Sequence, residues 1–105
     1  MNRSKNLNFF IELISSVLKR PAMYEVNNIE DLNLLIRGFE MSCTEDKQVI
    51  EFMHSFRSHV NSKLETNEDV HWARLIRYHA GGDNNSLKLF EKYFFEFLNT
   101  LELSS

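Results

Sequence analysis

The amino-acid sequence predicts an all-α protein: a compact bundle of about five helices, formed by residues 1–105 as one domain, with a phenylalanine-rich C-terminal helix at its centre. Five segments repeat apolar residues at the i, i+3/i+4, i+7 spacing of a helix with one buried face. The 105 residues include only three glycines and one proline, which disfavours a turn-rich β-protein. No run alternates apolar and polar residues as a half-buried strand does.

The first predicted helix runs from about Leu7 to Lys19. Asn6 is its expected N-cap, because an amide oxygen can accept an otherwise unpaired backbone N–H. Pro21 ends the helix, since proline has no N–H and restricts the residue before it. We allow a short extended piece only at Met23–Asn27. The apolar stripe consists of Phe9, Phe10, Leu13, Ile14, Val17 and Leu18.

The second predicted helix runs from about Ile29 to Ser42, with Asn28 as its cap. Glu30 and Asp31 lie in its first turn, where the helix dipole favours negative charge. Gly38 costs about 1 kcal/mol relative to alanine inside a helix, and a close helix crossing is the simplest reason for it. The buried stripe consists of Ile29, Leu32, Leu35, Ile36, Phe39 and Cys43.

Two helices are predicted in the middle of the chain. The third runs from about Glu45 to Leu64 with Thr44 as its cap, and the fourth from about Glu68 to His79 with Asn67 as its cap. Gly81 is a natural C-terminal stop for the fourth helix. The residues expected to face the core are Val49, Phe52, Met53, Phe56, Val60, Val70, Trp72, Leu75 and Ile76.

The fifth predicted helix runs from about Leu87 to Leu101 and is capped by Asn85 or Ser86. Apolar residues cover most of its circumference, which is typical of a helix with neighbours on several sides. These residues are Leu87, Leu89, Phe90, Tyr93, Phe94, Phe95, Phe97, Leu98 and Leu101.

Composition narrows the class of protein. A formal charge of −3 argues against a generic nucleic-acid binder, which should carry a basic face. A single cysteine excludes an internal disulfide framework and a cysteine-rich zinc site. No apolar run approaches the roughly 20 residues of a membrane span, and no secretory cleavage site follows the N-terminus. We therefore expect a cytoplasmic protein that does not bind a membrane.

No motif indicates catalysis or metal binding. The four histidines, His54, His59, His71 and His79, include no pair at the i, i+4 spacing of a helical zinc motif. Cys43 continues an apolar stripe and is expected to be a buried small hydrophobe. Gly81-Gly82-Asp83 lacks the following Lys-Ser/Thr of a phosphate-binding loop. We expect no enzyme activity and no cofactor.

Acidic clusters are the remaining feature, and all lie at or near predicted helix starts. They are Glu25/Glu30/Asp31, Glu40/Glu45/Asp46 and Glu65/Glu68/Asp69. Acids at these positions stabilise helices without any partner. They can also form a negative face that meets a basic protein, because complementary charge speeds encounter and sets specificity.

The string Lys19-Arg20-Pro21-Ala22-Met23-Tyr24 is followed by a helix with Gly38 and Phe39, then by Trp72 and a phenylalanine-rich C-terminal helix. This order resembles small helical bacterial immunity proteins encoded beside polymorphic toxins, including those of contact-dependent growth inhibition systems. That group often carries glycine at the third position of the Arg-Pro element and again shortly after the tyrosine. Here the positions hold Ala22 and Glu25-Val26-Asn27. Proline chemistry alone predicts a structural corner, with Met23 and Tyr24 folded back as apolar plugs.

The resemblance implies a protein that binds the C-terminal domain of its cognate toxin and blocks the toxin's active site as a monomer in a 1:1 complex. Such toxins are often nucleases, whose active sites are basic because they hold phosphates. We expect an RNase rather than a DNase. We expect no direct contact with nucleic acid. The predicted binding face is Glu65, Glu68, Asp69 and His71, and the alternative is Tyr24, Glu25, Glu30 and Asp31.

Two other function classes stay open. The chain could be a helical adaptor or regulatory subunit of an unrelated complex, including a homodimer. It could also be a small-molecule-binding or enzymatic bundle, which predicts a pocket with converging polar groups.

Overall fold

The computed structural model describes residues 3–42, 45–65 and 71–103, and these form helices without a strand. The helices are α1 (Lys5–Lys19), α2 (Ile29–Ser42), α3 (Lys47–Lys63), α4 (Trp72–Ala80) and α5 (Asp83–Leu103), with a 3-10 turn, Pro21–Tyr24, after α1. The predicted all-α fold is confirmed. None of the helices in the described ranges is both long enough and apolar enough to cross a membrane.

The phenylalanine-rich helix α5 occupies the centre, as predicted, and packs against α2, α3 and α4. Phe56 of α3 lies at the middle of the core and is fully buried. Its ring centroid lies between 5.2 and 6.1 Å from those of four other rings, mostly edge-on, which is a favoured geometry for aromatic pairs. Those four rings belong to Trp72, Phe90, Phe94 and Phe97.

The starts of α1 and α3 differ from the predictions because each helps to cap the other. Ser4, not Asn6, caps α1: its hydroxyl accepts a hydrogen bond from Leu7 N at 3.1 Å. Asp46 caps α3, where Oδ1 accepts from Gln48 N at 3.0 Å, and the predicted cap Thr44 lies outside the described residues. Hydrogen bonds from the Ser4 side chain, from Gln48 N and from the Asn6 side chain hold the pKa of Asp46 below its usual value.

The predicted start of α4 at Glu68 is wrong, because the helix begins at Trp72 and His71 is its cap. His71 Nδ1 accepts a hydrogen bond from Ala73 N at 3.2 Å. The predicted cap Asn67, and Val70, lie outside the described residues. Gly81 ends the helix as predicted, in the left-handed conformation (φ 77°).

Helix α5 begins at Asp83, earlier than predicted, and neither Asn85 nor Ser86 caps it. Ser86 is instead fully buried inside the first turns, where its hydroxyl donates to Gly82 O at 2.7 Å. By contrast, the bounds of α2 and its cap are confirmed, since Asn28 Oδ1 accepts from Asp31 N at 2.8 Å.

Phe9 and Phe95, which were predicted to face the interior, are exposed, and Leu13, Leu35 and Phe39 of the predicted stripes are only half-buried. Phe9 lies on the surface and stacks against half-buried Phe39, with ring centroids 5.9 Å apart. Phe95 is partly exposed on the outer side of α5. Cys43, the last residue of the predicted α2 stripe, lies outside the described residues.

Candidate functional site

The corner between α1 and α2 is a 3-10 turn rather than the extended piece that we allowed. Pro21 has the fixed φ that suits the first position of a helix, so the chain turns at once. Three backbone hydrogen bonds close the corner: Met23 N to Arg20 O at 3.1 Å, Glu25 N to Ala22 O at 3.2 Å and Val26 N to Pro21 O at 3.0 Å.

The corner exposes its two largest apolar side chains. Met23 is 66% exposed and Tyr24 is 41% exposed, so the prediction that they plug the helix junction is wrong. Val26 is buried in their place. The cause is Glu25, whose left-handed backbone (φ 58°) redirects the chain so that the next residue faces the core. A residue other than glycine rarely adopts this conformation, so it could not be predicted from the residue type.

An open cleft of about 790 Å³ lies between α2 and α4. Its walls carry charged, polar and aromatic side chains at helical spacing. The α2 side supplies Glu30, Asn33 and Arg37, and the α4 side supplies His71, Ala73, Arg74, Arg77 and Tyr78. We call this the α2–α4 cleft.

Positive charge dominates the α2–α4 cleft. Arg77 forms an ion pair with Glu30. Neither Arg37 nor Arg74 lies within 4.0 Å of a carboxylate that the structure describes, and the charge of Arg37 acts at longer range on the carboxyl of Glu40. Partial desolvation lowers the pKa of His71, and the positive charges of Arg57, Arg37 and Arg74 lower that pKa further. The imidazole therefore stays neutral more readily and can accept the capping hydrogen bond.

The cleft also contains hydrogen-bond acceptors that lack donors. Glu30 Oε1 accepts from Arg77, but Glu30 Oε2 is buried with no hydrogen-bond partner in the described part of the chain. Asn33 Oδ1, one helical turn further along α2, is in the same situation. Buried acceptors are normally satisfied by protein groups or by ordered water, so either water or an N–H of a bound molecule can supply the donor at this wall of the cleft.

The predicted face at residues 65–71 is only partly described. Glu68 and Asp69 lie outside the described residues. Glu65 is exposed just after α3, with a left-handed backbone (φ 52°). His71 lies in the α2–α4 cleft, where the charges that lower its pKa are those of Arg57, Arg37 and Arg74.

The alternative patch is divided between exposed and engaged residues. Tyr24 and Glu25 lie exposed on the corner. Glu30 is paired with Arg77, and Asp31 accepts a hydrogen bond from Asn27 N at 2.9 Å. The two acids on α2 therefore serve the fold, while the two corner residues are available to a partner.

The arginines of the cleft and Tyr78 were not among the site residues predicted from the sequence. Arg74, Arg77 and Tyr78 follow the i, i+3/i+4 rule on the polar side of a helix whose other side carries Leu75 and Ile76. That spacing could have revealed a basic face with one aromatic residue. Their proximity to Arg37, on another helix, could not be read from local spacing.

A second exposed stripe lies next to the cleft on α2. Leu34, Gly38 and Met41 occupy positions i, i+4 and i+7, and all three face solvent. A Cβ atom added to Gly38 would have no heavy atom within 4 Å. The predicted close helix crossing at Gly38 is therefore wrong, and the stripe is an apolar shelf beside a charged cleft.

Within the ranges described, no three histidine, cysteine, aspartate or glutamate residues lie close enough together to hold a metal ion. Comparison of the chain with known protein families, with curated proteins and with solved structures gives no match. The fold and surface define a small helical domain with an exposed aromatic corner and an open cleft of mixed polarity.

Proposed function

We propose that this chain is a protein-binding domain that neutralises a cognate secreted toxin domain, in the manner of the immunity proteins that it resembles. The observation that carries the proposal is the exposure of Met23 and Tyr24. These residues belong to the string that carries the resemblance, and Val26 fills the core position that we had expected them to fill. Exposed aromatic side chains are frequent anchors of protein interfaces.

The rest of the surface also suits a protein partner. The α2–α4 cleft is open rather than enclosed, whereas small-molecule sites usually bury most of their ligand. Leu34, Met41 and Tyr78 are exposed close to charged residues. Apolar anchors with a polar surround are typical of protein interfaces, which bury about 800 Å² on each partner.

The corner provides the chemistry for blocking a nuclease. Tyr24 can contribute apolar contact area, and the adjacent carboxylate of Glu25 can pair with cations that would otherwise hold phosphates. Blocking an active site requires no catalytic group on the inhibitor. The proposed partner is a nuclease domain, and an RNase is proposed rather than a DNase. One copy of this chain would bind one copy of that domain in the cytoplasm.

The test is capture of the partner from the source cells with a tagged chain, followed by mass spectrometry. We expect a stoichiometric C-terminal fragment of a large secreted protein, and we expect co-expression of this chain to restore growth to cells that make that fragment. Recovery of a metabolic or regulatory complex instead would assign the chain as an adaptor and contradict the proposal.

Two variants locate the contact. Tyr24→Ala should weaken binding of the captured fragment at least about tenfold, as loss of an interface anchor does. Ile50→Ala is the matched control, because Ile50 is 42% exposed on α3, close to the 41% of Tyr24. If the two variants bind the fragment with equal affinity, the corner does not lie in the interface.

A further inference from the structure

The charge distribution of the α2–α4 cleft is opposite to that of the whole chain. The chain carries a formal charge of −3, yet this cleft is lined by three arginines and one carboxylate, that of Glu30. Arg37 and Arg74 come from different helices and lack an ion-pair partner among the described carboxylates. Three arginines outnumber the one carboxylate that lines the cleft, and Glu40, on whose carboxyl Arg37 acts, is not among the lining residues. The excess of positive charge suits the cleft to a negatively charged ligand.

We propose that the α2–α4 cleft binds an acidic peptide segment of a partner protein, with Arg37 and Arg74 pairing with its carboxylates. Arginine suits this role, because its planar guanidinium can bind a carboxylate through two parallel hydrogen bonds. Tyr78, exposed in the last turns of α4, provides an aromatic surface for the same segment. The inference rests on the proposed function, since it names the chemistry of the protein that this chain binds.

The unpartnered acceptors favour a peptide over a nucleic acid. Glu30 Oε2 and Asn33 Oδ1 are buried at the wall of the cleft, and no group among the described residues donates to either atom. A peptide segment offers backbone N–H groups beside its carboxylates, whereas a phosphodiester backbone offers acceptors alone. The cleft therefore fits a ligand that carries both negative charge and donors.

The neighbouring shelf of α2 extends the same docking surface. Leu34 and Gly38 directly follow the cleft residues Asn33 and Arg37 along α2. Met41 lies one helical turn beyond Gly38. Successive helical residues are about 100° apart around the axis, so the shelf borders the cleft. An acidic segment with flanking apolar residues would cover both.

Selection from a library of phage-displayed random dodecapeptides tests the cleft without a known partner. The full chain is immobilised as bait, and enriched peptides are synthesised with a fluorescent label for anisotropy titration. We expect enrichment of peptides rich in Asp and Glu. Their Kd should rise at least about tenfold for Arg37→Gln/Arg74→Gln, and their affinity should fall as salt screens the charges.

A matched control removes two positive charges elsewhere. Lys88 and Lys92 line a separate shallow groove beside His79, so Lys88→Gln/Lys92→Gln changes the net charge equally but leaves the α2–α4 cleft intact. Its Kd for the enriched peptides should equal that of the wild type. An equal loss of affinity in both double variants would show a general charge effect and overturn the proposal.

Other outcomes also decide against the cleft assignment. Failure to enrich acidic peptides, or an unchanged Kd in the arginine variant, would overturn it. Tighter, arginine-dependent binding of a labelled oligothymidylate would assign the cleft to nucleic acid instead. This experiment is independent of the toxin: acidic peptides bound through the arginines, without capture of a toxin fragment, would support the cleft while contradicting the immunity function.

Discussion

Replacing Gly38 by alanine should stabilise the protein. Gly38 lies inside α2, its side faces solvent, and an added Cβ would meet no heavy atom within 4 Å. Only the backbone preference then changes, and alanine is favoured over glycine inside a helix by about 1 kcal/mol. We expect the urea midpoint to rise by about 0.5 M and the Tm by about 4 °C, measured by circular dichroism.

Gly81→Ala is the matched control, because the same methyl group is added where space is equally open. Gly81 has φ 77°, however, and a left-handed backbone costs a residue other than glycine about 1–2 kcal/mol. Gly81→Ala should therefore destabilise the protein. A Gly38→Ala variant with a lower urea midpoint than the wild type would refute the reasoning and restore a close helix crossing at that position.

Three further predictions concern the core, the cap of α4 and the corner. Phe56→Ala should lower the free energy of unfolding, measured with urea, by about 3–5 kcal/mol. Phe95→Ala, on the partly exposed side of α5, should lower it by about 1 kcal/mol or less, and similar losses in the two variants would contradict the central place of Phe56. The lowered pKa of His71 means that the folded state binds fewer protons than the unfolded state, so this stability is present above about pH 6.5 and is lost as the pH falls from there through the folded pKa. His71→Asn replaces the capping nitrogen with a capping oxygen and should flatten the fall of the urea midpoint between neutral and mildly acidic pH. The part of the fall due to His59, whose pKa is lowered by burial and Lys63, should remain, and an identical fall in both proteins would argue against the cap. Glu25→Gly should raise the urea midpoint, because glycine adopts the left-handed conformation without steric cost, and a lower midpoint would show that the Glu25 side chain stabilises the corner.

The sequence predicted what local chemistry determines. The bounds and cap of α2 were predictable because Asn28 and Asp31 interact within one turn. The core positions of α3 were predictable from spacing alone, and all five are buried. Periodicity works here because each helix buries one continuous stripe.

Features that depend on distant residues were not predictable. Ser4 caps α1 in a setting where its own N–H donates to Gln48 Oε1 at 2.7 Å, across more than forty residues. The cleft likewise depends on the packing of α2 against α4, because Arg37 lines it from α2 and Arg74 lines it from α4. Neither contact can be predicted from the spacing of residues within one helix.

The exposure of Tyr24 was missed for a different reason. Which corner side chains are buried depends on the left-handed backbone of Glu25. A glutamate in the sequence does not indicate that conformation, whereas a glycine would. Had glycine stood there, a sharp reversal after Tyr24 would have been expected, with Val26 as the residue that returns to the core.

The corner separates the residues that hold the turn from those that face outward. Main-chain hydrogen bonds and the buried side chain of Val26 fix its shape, and these do not depend on the identity of residues 23 and 24. Substitutions at Met23 and Tyr24 can therefore accumulate at little cost to folding. Under the proposed function, changes at these two positions would alter the choice of partner without altering the fold, so they are the positions to randomise when the scaffold is retargeted.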